Sequence, residues 1–305
     1  MRRLRYVKSW LVALTALCLV VAAWPALAAD YPNGHLLAEP GWLIQNLNRA
    51  DLRIIDLRPA RDYERAHIPG AVNIPGSGAL NDPDAEIEGW LLPPDEFQEL
   101  MRSLGVNEDT TVVAYDQSNG LSAARLFYAL ELYGHFDKVK LLNGGFAAWT
   151  EERGPLSRDV PSYAPGNFVA TLVEDRIATA EYIASKLETG DAVLIDARTA
   201  GEFTGSDVRA ARGGTIPGAI HLEWVNNVVD GNVQRFKSAD ELFAMYAGIG
   251  ADPEDEIIPF CQTNVRGAHT YFTLRLLGYQ NVRPYEGSWS EWGNRDDLPI
   301  MTGRL

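Results

Sequence analysis

Short runs of apolar, often β-branched residues alternate along the chain with longer segments whose apolar residues recur at helical spacing. The runs RIID (53–56), TVVAY (111–115) and KVKLL (138–142) predict buried strands. The segments PPDEFQELMRSLG (93–105) and SAARLFYALELYG (122–134) predict helices that stop at glycine. This alternation predicts an α/β fold in which open, mostly parallel sheets are flanked by helices.

The hydrophobic pattern occurs twice. The segment LRIIDLRPARDYERAHIPGAVNI (52–74) shares Asp-x-Arg and Ile-Pro-Gly-Ala with AVLIDARTAGEFTGSDVRAARGGTIPGAIHL (192–222). In the same order, TTVVAYDQSNGLSAARLFYALELYG (110–134) parallels DEIIPFCQTNVRGAHTYFTLRLLGY (255–279), and KVKLLNGGFAAW parallels NVRPYEGSWSEW. A repeat this long indicates a duplicated domain rather than a solenoid.

We therefore predict two tandem α/β domains. Their expected extents are residues 36–155 and 175–303, joined by a linker at 156–174 that is rich in proline, glycine and charge.

The N-terminus has the three-part pattern of a secretory signal peptide, predicted at residues 1–28. A basic start is followed by an apolar run from Trp10 to Trp24 and by the small-x-small sequence Ala26-Leu27-Ala28. The alternative is an uncleaved anchor, but the run is shorter than the ~20 residues that a spanning helix needs. We expect a periplasmic or secreted protein that has no membrane contact after cleavage.

The net charge of the chain limits the kinds of partner that it can bind. The formal net charge is −14, and loss of the signal segment, with its four basic residues and no acidic ones, would make it −18. So acidic a surface disfavours nucleic acid as a partner. We expect a monomer that acts on a small-molecule donor and acceptor. The sequence lacks Cys-x-x-Cys, His-x-x-x-His and a lysine-containing phosphate loop, so no metal or cofactor is predicted.

The mature chain would keep one cysteine. Cys18 lies within the predicted signal segment, so Cys261 has no partner for a disulfide. A lone thiol in an oxidising compartment needs a reason. Cys261 follows the apolar IIPF and precedes the predicted helix GAHTYFTLRLLG (267–278). In open parallel sheets this is where ligands bind, beyond the carboxyl ends of the strands.

This position favours thiolate over thiol. The loop amides of Gln262 to Gly267 can point towards the sulfur, and the helix N-terminus adds about half a positive charge. Arg266 adds a full charge. Because the sulfur would already be ionised, no general base is required. None of the five scattered histidines stands out as a base, and we expect His269 to be structural.

Taken together, the repeated motifs resemble the tandem rhodanese family of two-domain sulfurtransferases, over nearly all of the mature chain. The resemblance implies that Cys261 accepts sulfane sulfur from thiosulfate as a persulfide and passes it to cyanide or a thiol, without a cofactor. It also implies that Arg266 holds the sulfonate end of the donor. The substrate-binding residues implied in this way are Gln262, Thr263, Asn264, Val265, Arg266 and Gly267.

The first half departs from the family at its loop. DQSNG runs alongside CQTNV, so Asp116 stands where the second half has Cys261. A carboxylate cannot carry a persulfide, and the loop amides could simply satisfy it. We expect the first domain to be catalytically silent and structural; the alternative is that Asp116 serves another chemistry.

The second half departs at two further positions. Thr215 replaces the histidine that often precedes Ile-Pro-Gly and is kept as His67 in the first half, which we interpret as a packing change. Glu202 stands where many members have an arginine near the substrate, so Arg209 or Arg212 could supply that charge. Scaffolding roles are expected for the Asp-x-Arg pairs and for three tryptophans: Asp56, Arg58, Asp196, Arg198, Trp149, Trp289 and Trp292.

Three rival functions remain open. Cysteine phosphatases use Cys-x5-Arg with a histidine before the cysteine, whereas this chain has Cys-x4-Arg preceded by Phe260. A non-enzymatic sulfur-binding or partner-binding module would not need both Cys261 and Arg266. Relatives that use 3-mercaptopyruvate carry the neutral loop Cys-Gly-Ser-Gly-Val-Thr. An arginine suits the dianion thiosulfate better.

Overall fold

The computed structural model describes residues 30–302 and 304. The predicted signal peptide at residues 1–28 therefore lies outside the described residues. Within them, two parallel sheets flanked by helices confirm the predicted α/β fold. No helix among the described residues has the length and hydropathy needed to cross a membrane.

The first half contains a five-stranded parallel sheet with strand order β1-β5-β4-β2-β3. Its strands are β1 (Leu37–Ala38), β2 (Leu52–Asp56), β3 (Ala71–Asn73), β4 (Thr111–Tyr115) and β5 (Val139–Leu142). Its α-helices are α1 (Pro40–Asn46), α2 (Ala60–Arg65), α3 (Pro94–Ser103), α4 (Leu121–Leu132) and α5 (Gly145–Glu151). The inner strand β2 is buried along its whole length, as expected for a sheet covered on both faces.

The second half repeats this plan with a shorter sheet of order β7-β6-β8. Its strands are β6 (Val193–Asp196), β7 (Ile220–His221) and β8 (Ile257–Phe260). Its α-helices are α6 (Ala180–Thr189), α7 (Ala200–Thr204), α8 (Ala239–Gly248), α9 (Val265–Leu276) and α10 (Ser288–Trp292). Single parallel bridges, Ile257 to Val282 and Ala178 to Tyr285, stand where the first half has β5 paired with β4 and β1 paired with β5. Short 3-10 segments lie at Gly34–Leu36, Ser77–Leu80, Glu174–Arg176 and Trp224–Asn227.

Helices α4 and α9 pack against each other where the two halves meet. The ring centroids of Phe127 and Phe272 lie 4.9 Å apart, and those of Tyr128 and Tyr271 lie 5.3 Å apart. Both helices are buried almost all round, which is typical of a helix in the middle of a core. One hydrophobic cluster therefore extends through both halves of the molecule.

The start of α9 differs from the predicted one. The helix begins at Val265 rather than Gly267, because Asn264 takes a left-handed conformation (φ 54°) and acts as its N-cap. Gly120 does the same for α4 (φ 78°). The loop from Asp116 to Gly120, here called the Asp116 loop, is thus one residue longer than the Cys261 loop (residues 261–264). The predicted alignment therefore holds for residues 116–119 with residues 261–264. Gly120 is the additional residue of the first half, and it has no counterpart before α9.

Candidate active site

Cys261 lies between the end of β8 and the start of α9, as the sequence predicts, and is 1% exposed. The first residues of α10 fix its backbone. The Cys261 N–H donates to Ser288 Oγ over 3.2 Å, and its carbonyl accepts from the Trp289 N–H over 2.9 Å. Ser290 N–H donates in the same way to the carbonyl of Gln262. Hydrogen bonds at both the N–H and the carbonyl group of Cys261 thus fix the backbone that carries the thiol.

The Asp116 loop shows what this local fold does to an anion. The Asp116 carboxylate accepts from the N–H groups of Ser118, Gly120 and Ser122 at 2.9–3.1 Å, and from that of Ala123 at 3.5 Å. Burial raises the pKa of Asp116, although these four hydrogen bonds act to lower it. The loop amides therefore satisfy the carboxylate, as the sequence suggested they could.

The corresponding amides of the Cys261 loop have no such acceptor. In the part of the chain that the structure describes, no carbonyl or side-chain oxygen accepts a hydrogen bond from the N–H groups of Gln262 to Gly267. The N–H groups at the start of a helix have no partner within the helix. The first turn of α9 and the loop before it can therefore stabilise a negative charge on the sulfur.

Arg266 has a partner that the sequence did not predict. Its Nη1 and Nη2 donate to the two carboxylate oxygens of Glu202, over 2.6 and 2.8 Å. Burial acts to lower the pKa of Arg266, but the hydrogen bond to Glu202 and the charges of Cys261 and Glu202 raise it overall. Arg266 thus lies beside the cysteine, as expected, but an ion pair offsets its charge.

Glu202 is held in place from several directions. It accepts from the backbone N–H and the hydroxyl of Thr199, which closes a capping box at the start of α7. Arg209 Nη1 lies 3.2 Å from its second oxygen. Burial alone would raise the pKa of Glu202, yet the hydrogen bonds and charge of Arg266, with those from Thr199, lower it to about 2. Glu202 is therefore ionised at any ordinary working pH.

Of the two arginines named as alternatives, only Arg209 lies beside this site. Its carbonyl accepts from Gln262 Nε2 over 3.1 Å, and its side chain remains about half exposed. Arg212 instead donates to the carbonyls of Trp292 and Leu298, over 2.8 and 2.9 Å. Arg212 therefore fastens the C-terminal segment, and Arg209 is the cation that could meet a ligand.

The first domain also contributes to the site, and the sequence did not reveal this. Glu286 accepts from the side-chain amide of Asn264 over 2.7 Å and pairs with Arg125 of the first domain. A Cβ atom on Gly89 would lie 2.5 Å from the Thr263 Cβ, so the chain of the first domain passes directly over the Cys261 loop. One feature of the sequence could have indicated a special role for Glu286. When LLNGG (141–145) is aligned with PYEGS (284–288), Glu286 corresponds to Asn143 of the first half.

The remaining candidates have structural surroundings. Asp196 and Arg198 form a buried pair at 2.6 Å, and Thr215 donates to Asp196 over 2.7 Å. Asp56 and Arg58 repeat this pair in the first half. The tryptophans expected to pack against the sheets are fully or almost fully buried: Trp149, Trp289 and Trp292. Among residues 30–302 and 304, no group of three or more metal-ligating side chains is arranged to hold an ion.

Comparison with known proteins establishes the family. A model of the rhodanese-like domain matches residues 39–152 and again residues 179–295. The chain therefore belongs to the rhodanese family and carries the domain twice. Both matched segments fall inside the two domains predicted from the sequence.

Individual relatives align over most of their length. The chain is 38% identical to a thiosulfate sulfurtransferase of Corynebacterium glutamicum, over 90% of this chain and 93% of that protein. It is 34% identical to one of Azotobacter vinelandii, over 89% and 98%. Among solved structures, SseA of Escherichia coli, described as a 3-mercaptopyruvate sulfotransferase, matches with a TM-score of 0.74 and 31% identity, over 84% of this chain and 99% of its own.

Proposed function

We propose that this protein is a thiosulfate sulfurtransferase that carries sulfane sulfur on Cys261. The observation that carries the proposal is the pair of equivalent loops. In one, four amides converge on a carboxylate; in the other, the corresponding amides are free beside the thiol. The relatives named thiosulfate sulfurtransferase, aligned over almost their whole length, support the same activity. They favour it over phosphatase activity and over a role in sulfur binding alone.

The reaction proceeds by two nucleophilic displacements at sulfur. The Cys261 thiolate attacks the outer sulfur of thiosulfate, the sulfur–sulfur bond of thiosulfate breaks, and sulfite leaves with the electron pair. The enzyme then holds a persulfide anion, Cys–S–S⁻. Cyanide or a thiolate attacks the terminal sulfur and regenerates the Cys261 thiolate, with thiocyanate or a new persulfide as product. No external oxidant or reductant is consumed.

The residues of the loop share the task of holding negative charge. The N–H groups of Gln262, Thr263, Asn264, Val265, Arg266 and Gly267 would stabilise the thiolate and then the persulfide. Arg266 would keep a positive charge beside the sulfur, although the negative charge of Glu202 offsets part of it. Arg209 is the more exposed cation at this edge and would meet the sulfonate end of the donor.

Mass spectrometry of the protein after incubation with thiosulfate tests the proposal directly. We expect a gain of one sulfur atom, about 32 Da, on the peptide that contains Cys261. Cys261→Ser should show neither the adduct nor turnover, whereas Asp116→Ala, at the equivalent position of the other loop, should keep both. An unmodified wild-type peptide, or turnover in the serine variant, would show that the sulfur travels by another route.

The donor can be decided by kinetics. The arginine-containing loop favours thiosulfate, whereas the similarity to SseA of Escherichia coli raises 3-mercaptopyruvate as the alternative. A larger kcat/KM for thiosulfate than for 3-mercaptopyruvate, with cyanide as acceptor, supports the first assignment. The reverse order would reassign the donor.

The proposal has three further parts. The protein is exported, its first domain is catalytically silent, and it is a monomer. The basic and apolar N-terminal pattern supports secretion to the periplasm or beyond, and the satisfied carboxylate of Asp116 supports a first domain without sulfur chemistry. Sequencing the N-terminus of the mature protein from the native host tests cleavage after Ala28. Light scattering tests the monomer.

A further inference from the structure

We propose that Arg125, in the first domain, is a positioning residue for the Cys261 loop. Through Glu286 it fixes Asn264, the left-handed residue that joins the loop to α9. The inference deepens the proposed function, because it concerns the loop that is to carry the sulfur. It also gives the first domain a definite part in the reaction although that domain has no cysteine.

Arg125 contacts both domains through its two terminal nitrogens, whereas its buried Nε has no hydrogen-bond partner among the described residues. Its side chain is fully buried, and its Nη2 and Nη1 donate to the two oxygens of Glu286 over 2.6 and 3.0 Å. The same Nη2 donates to the carbonyl of Gly89 over 2.6 Å. The guanidinium thus ties α4 of the first domain to a carboxylate of the second.

Glu286 in turn holds the Cys261 loop in place. Its Oε2 accepts from Asn264 Nδ2 over 2.7 Å, and Arg125 Nη1 lies 3.5 Å from the Asn264 carbonyl. The Leu91 N–H, also from the first domain, donates to the other oxygen of Glu286 over 3.0 Å. Without Arg125, this buried carboxylate would be an uncompensated charge directly behind the loop.

Asn264 is the residue whose conformation matters most for the amides. A non-glycine residue at positive φ is strained, so it persists only where its surroundings hold it. Its side chain lies over the first turn of α9, since a Cβ atom on Gly267 would come within 2.4 Å of Asn264 Oδ1. The direction of the amides from Val265 to Gly267 therefore depends on how firmly Asn264 is held.

The pseudosymmetry of the molecule provides an internal comparison. At the Asp116 loop, His269 takes the place of Arg125, and its Nε2–H donates to the Asn119 carbonyl over 3.0 Å. Burial lowers the pKa of His269 to about 4, against the raising effect of that carbonyl, so the ring is neutral. Asn143 takes the place of Glu286. The chain thus places a buried ion pair at the loop with the cysteine and neutral groups at the other.

The electrostatics of Arg125 point in the same direction. Burial acts to lower its pKa, but the charge and hydrogen bonds of Glu286, together with a smaller contribution from the charge of Cys261, raise it overall. Attraction between charges is mutual. The positive charge of Arg125 is therefore held close to the Cys261 loop.

The test compares two double variants that each remove one buried ion pair between α4 and the second domain. Arg125→Met with Glu286→Gln removes the cation while leaving an oxygen to accept from Asn264. The control, Glu131→Gln with Arg275→Met, removes a pair of the same kind between α4 and α9, away from the loop. We expect both to lower stability. Only the first should lower kcat for sulfur transfer, roughly tenfold, with KM changed less than about twofold.

Alkylation of Cys261 by iodoacetamide supplies a readout that loss of stability alone would not move. The midpoint of its pH dependence should rise in the first variant and stay at the wild-type value in the control. Equal effects of the two variants on kcat and on alkylation, or an unchanged kcat in the first, would overturn the inference. If wild-type protein accepts no sulfur, the proposed function fails, and the alkylation profiles still decide the role of Arg125.

A milder pair covers the case in which the first double variant does not fold. Arg125→Lys keeps the positive charge but loses the two-pronged contact, and Arg275→Lys is its control. The first should lower kcat roughly threefold, and the second should leave it unchanged. A wild-type kcat in Arg125→Lys, with the double variant unfolded, would reduce Arg125 to a structural role.

Discussion

The two equivalent loops of this molecule differ at the residue that begins them, Asp116 in one and Cys261 in the other. Asp116 and Cys261 both follow a buried strand and precede a buried helix. The carboxylate is satisfied by four amides, whereas the thiol leaves the equivalent amides available. The sequence predicts the position of Cys261 correctly, between a buried strand and a helix. It does not predict the Glu202–Arg266 ion pair, because residues 64 apart give no pairwise signal in one sequence.

Glu202→Gln should lower KM for thiosulfate, because it removes the charge that offsets Arg266 and draws in Arg209. Glutamine keeps the capping box at α7. We expect a decrease of roughly threefold to tenfold, as for loss of one unfavourable charge near a dianion. Initial rates against thiosulfate concentration measure it, with the exposed Glu181→Gln as control. An unchanged or higher KM would mean that Glu202 does not repel the donor.

The low pKa of Glu202 fixes how this effect depends on pH. Because its folded-state pKa is lowered to about 2, Glu202 is ionised throughout the neutral range. The difference in KM between wild type and Glu202→Gln should therefore stay constant from about pH 5 to about pH 9. The stabilisation from Glu202 is present above its unfolded pKa of about 4.3 and is lost as the pH falls towards about 2. A KM difference that vanishes near neutral pH would contradict this assignment.

At the scale of elements, the strand–loop–helix unit of Cys261 was predictable, but its detailed start was not. The apolar run IIPF and the helix after it are visible in the sequence. Asparagine can adopt the left-handed conformation, yet nothing local requires Asn264 to do so. That conformation is held by Glu286, a contact from a distant part of the chain. For the same reason, α9 begins two residues earlier than predicted.

Gly267→Ala should slow sulfur transfer although alanine favours a helix by about 1 kcal/mol over glycine. The new Cβ would lie 2.4 Å from Asn264 Oδ1, so the side chain of Asn264 must move. We expect kcat to fall roughly tenfold in a folded protein. Gly248→Ala in α8 is the matched control, because a Cβ there meets no heavy atom within 4 Å. Circular dichroism and steady-state rates measure both; equal rates would show that Asn264 tolerates displacement.

At the scale of the whole molecule, the two domains share one core. Helices α4 and α9 bring Phe127 and Phe272 into contact, and one buried ion pair joins Glu131 to Arg275 between the same helices. The duplication and the α/β class were predictable from repeated motifs. The extent of the interface was not, since buried helices of this kind also occur inside a single domain.

The shared core predicts that both halves unfold in one cooperative transition. Thermal unfolding followed by calorimetry and by tryptophan fluorescence should give coincident midpoints, because separating the domains would expose both central helices. The double variant Glu131→Gln with Arg275→Met should lower the common midpoint without splitting it. Two resolved transitions in wild-type protein would show that the domains are stable independently.

Each half also reaches over the loop of the other. The hydroxyl of Ser118 accepts from the Gln234 N–H and donates to the Asn232 carbonyl, while Gly89 passes over Thr263. This reciprocal packing resembles the interface of a symmetric dimer whose two subunits have been joined into one polypeptide. Once joined, two copies can diverge, and here one has Cys261 where the other has Asp116. In the proposed function, the first domain thus supports the loop of the second from outside, through Gly89 and Arg125.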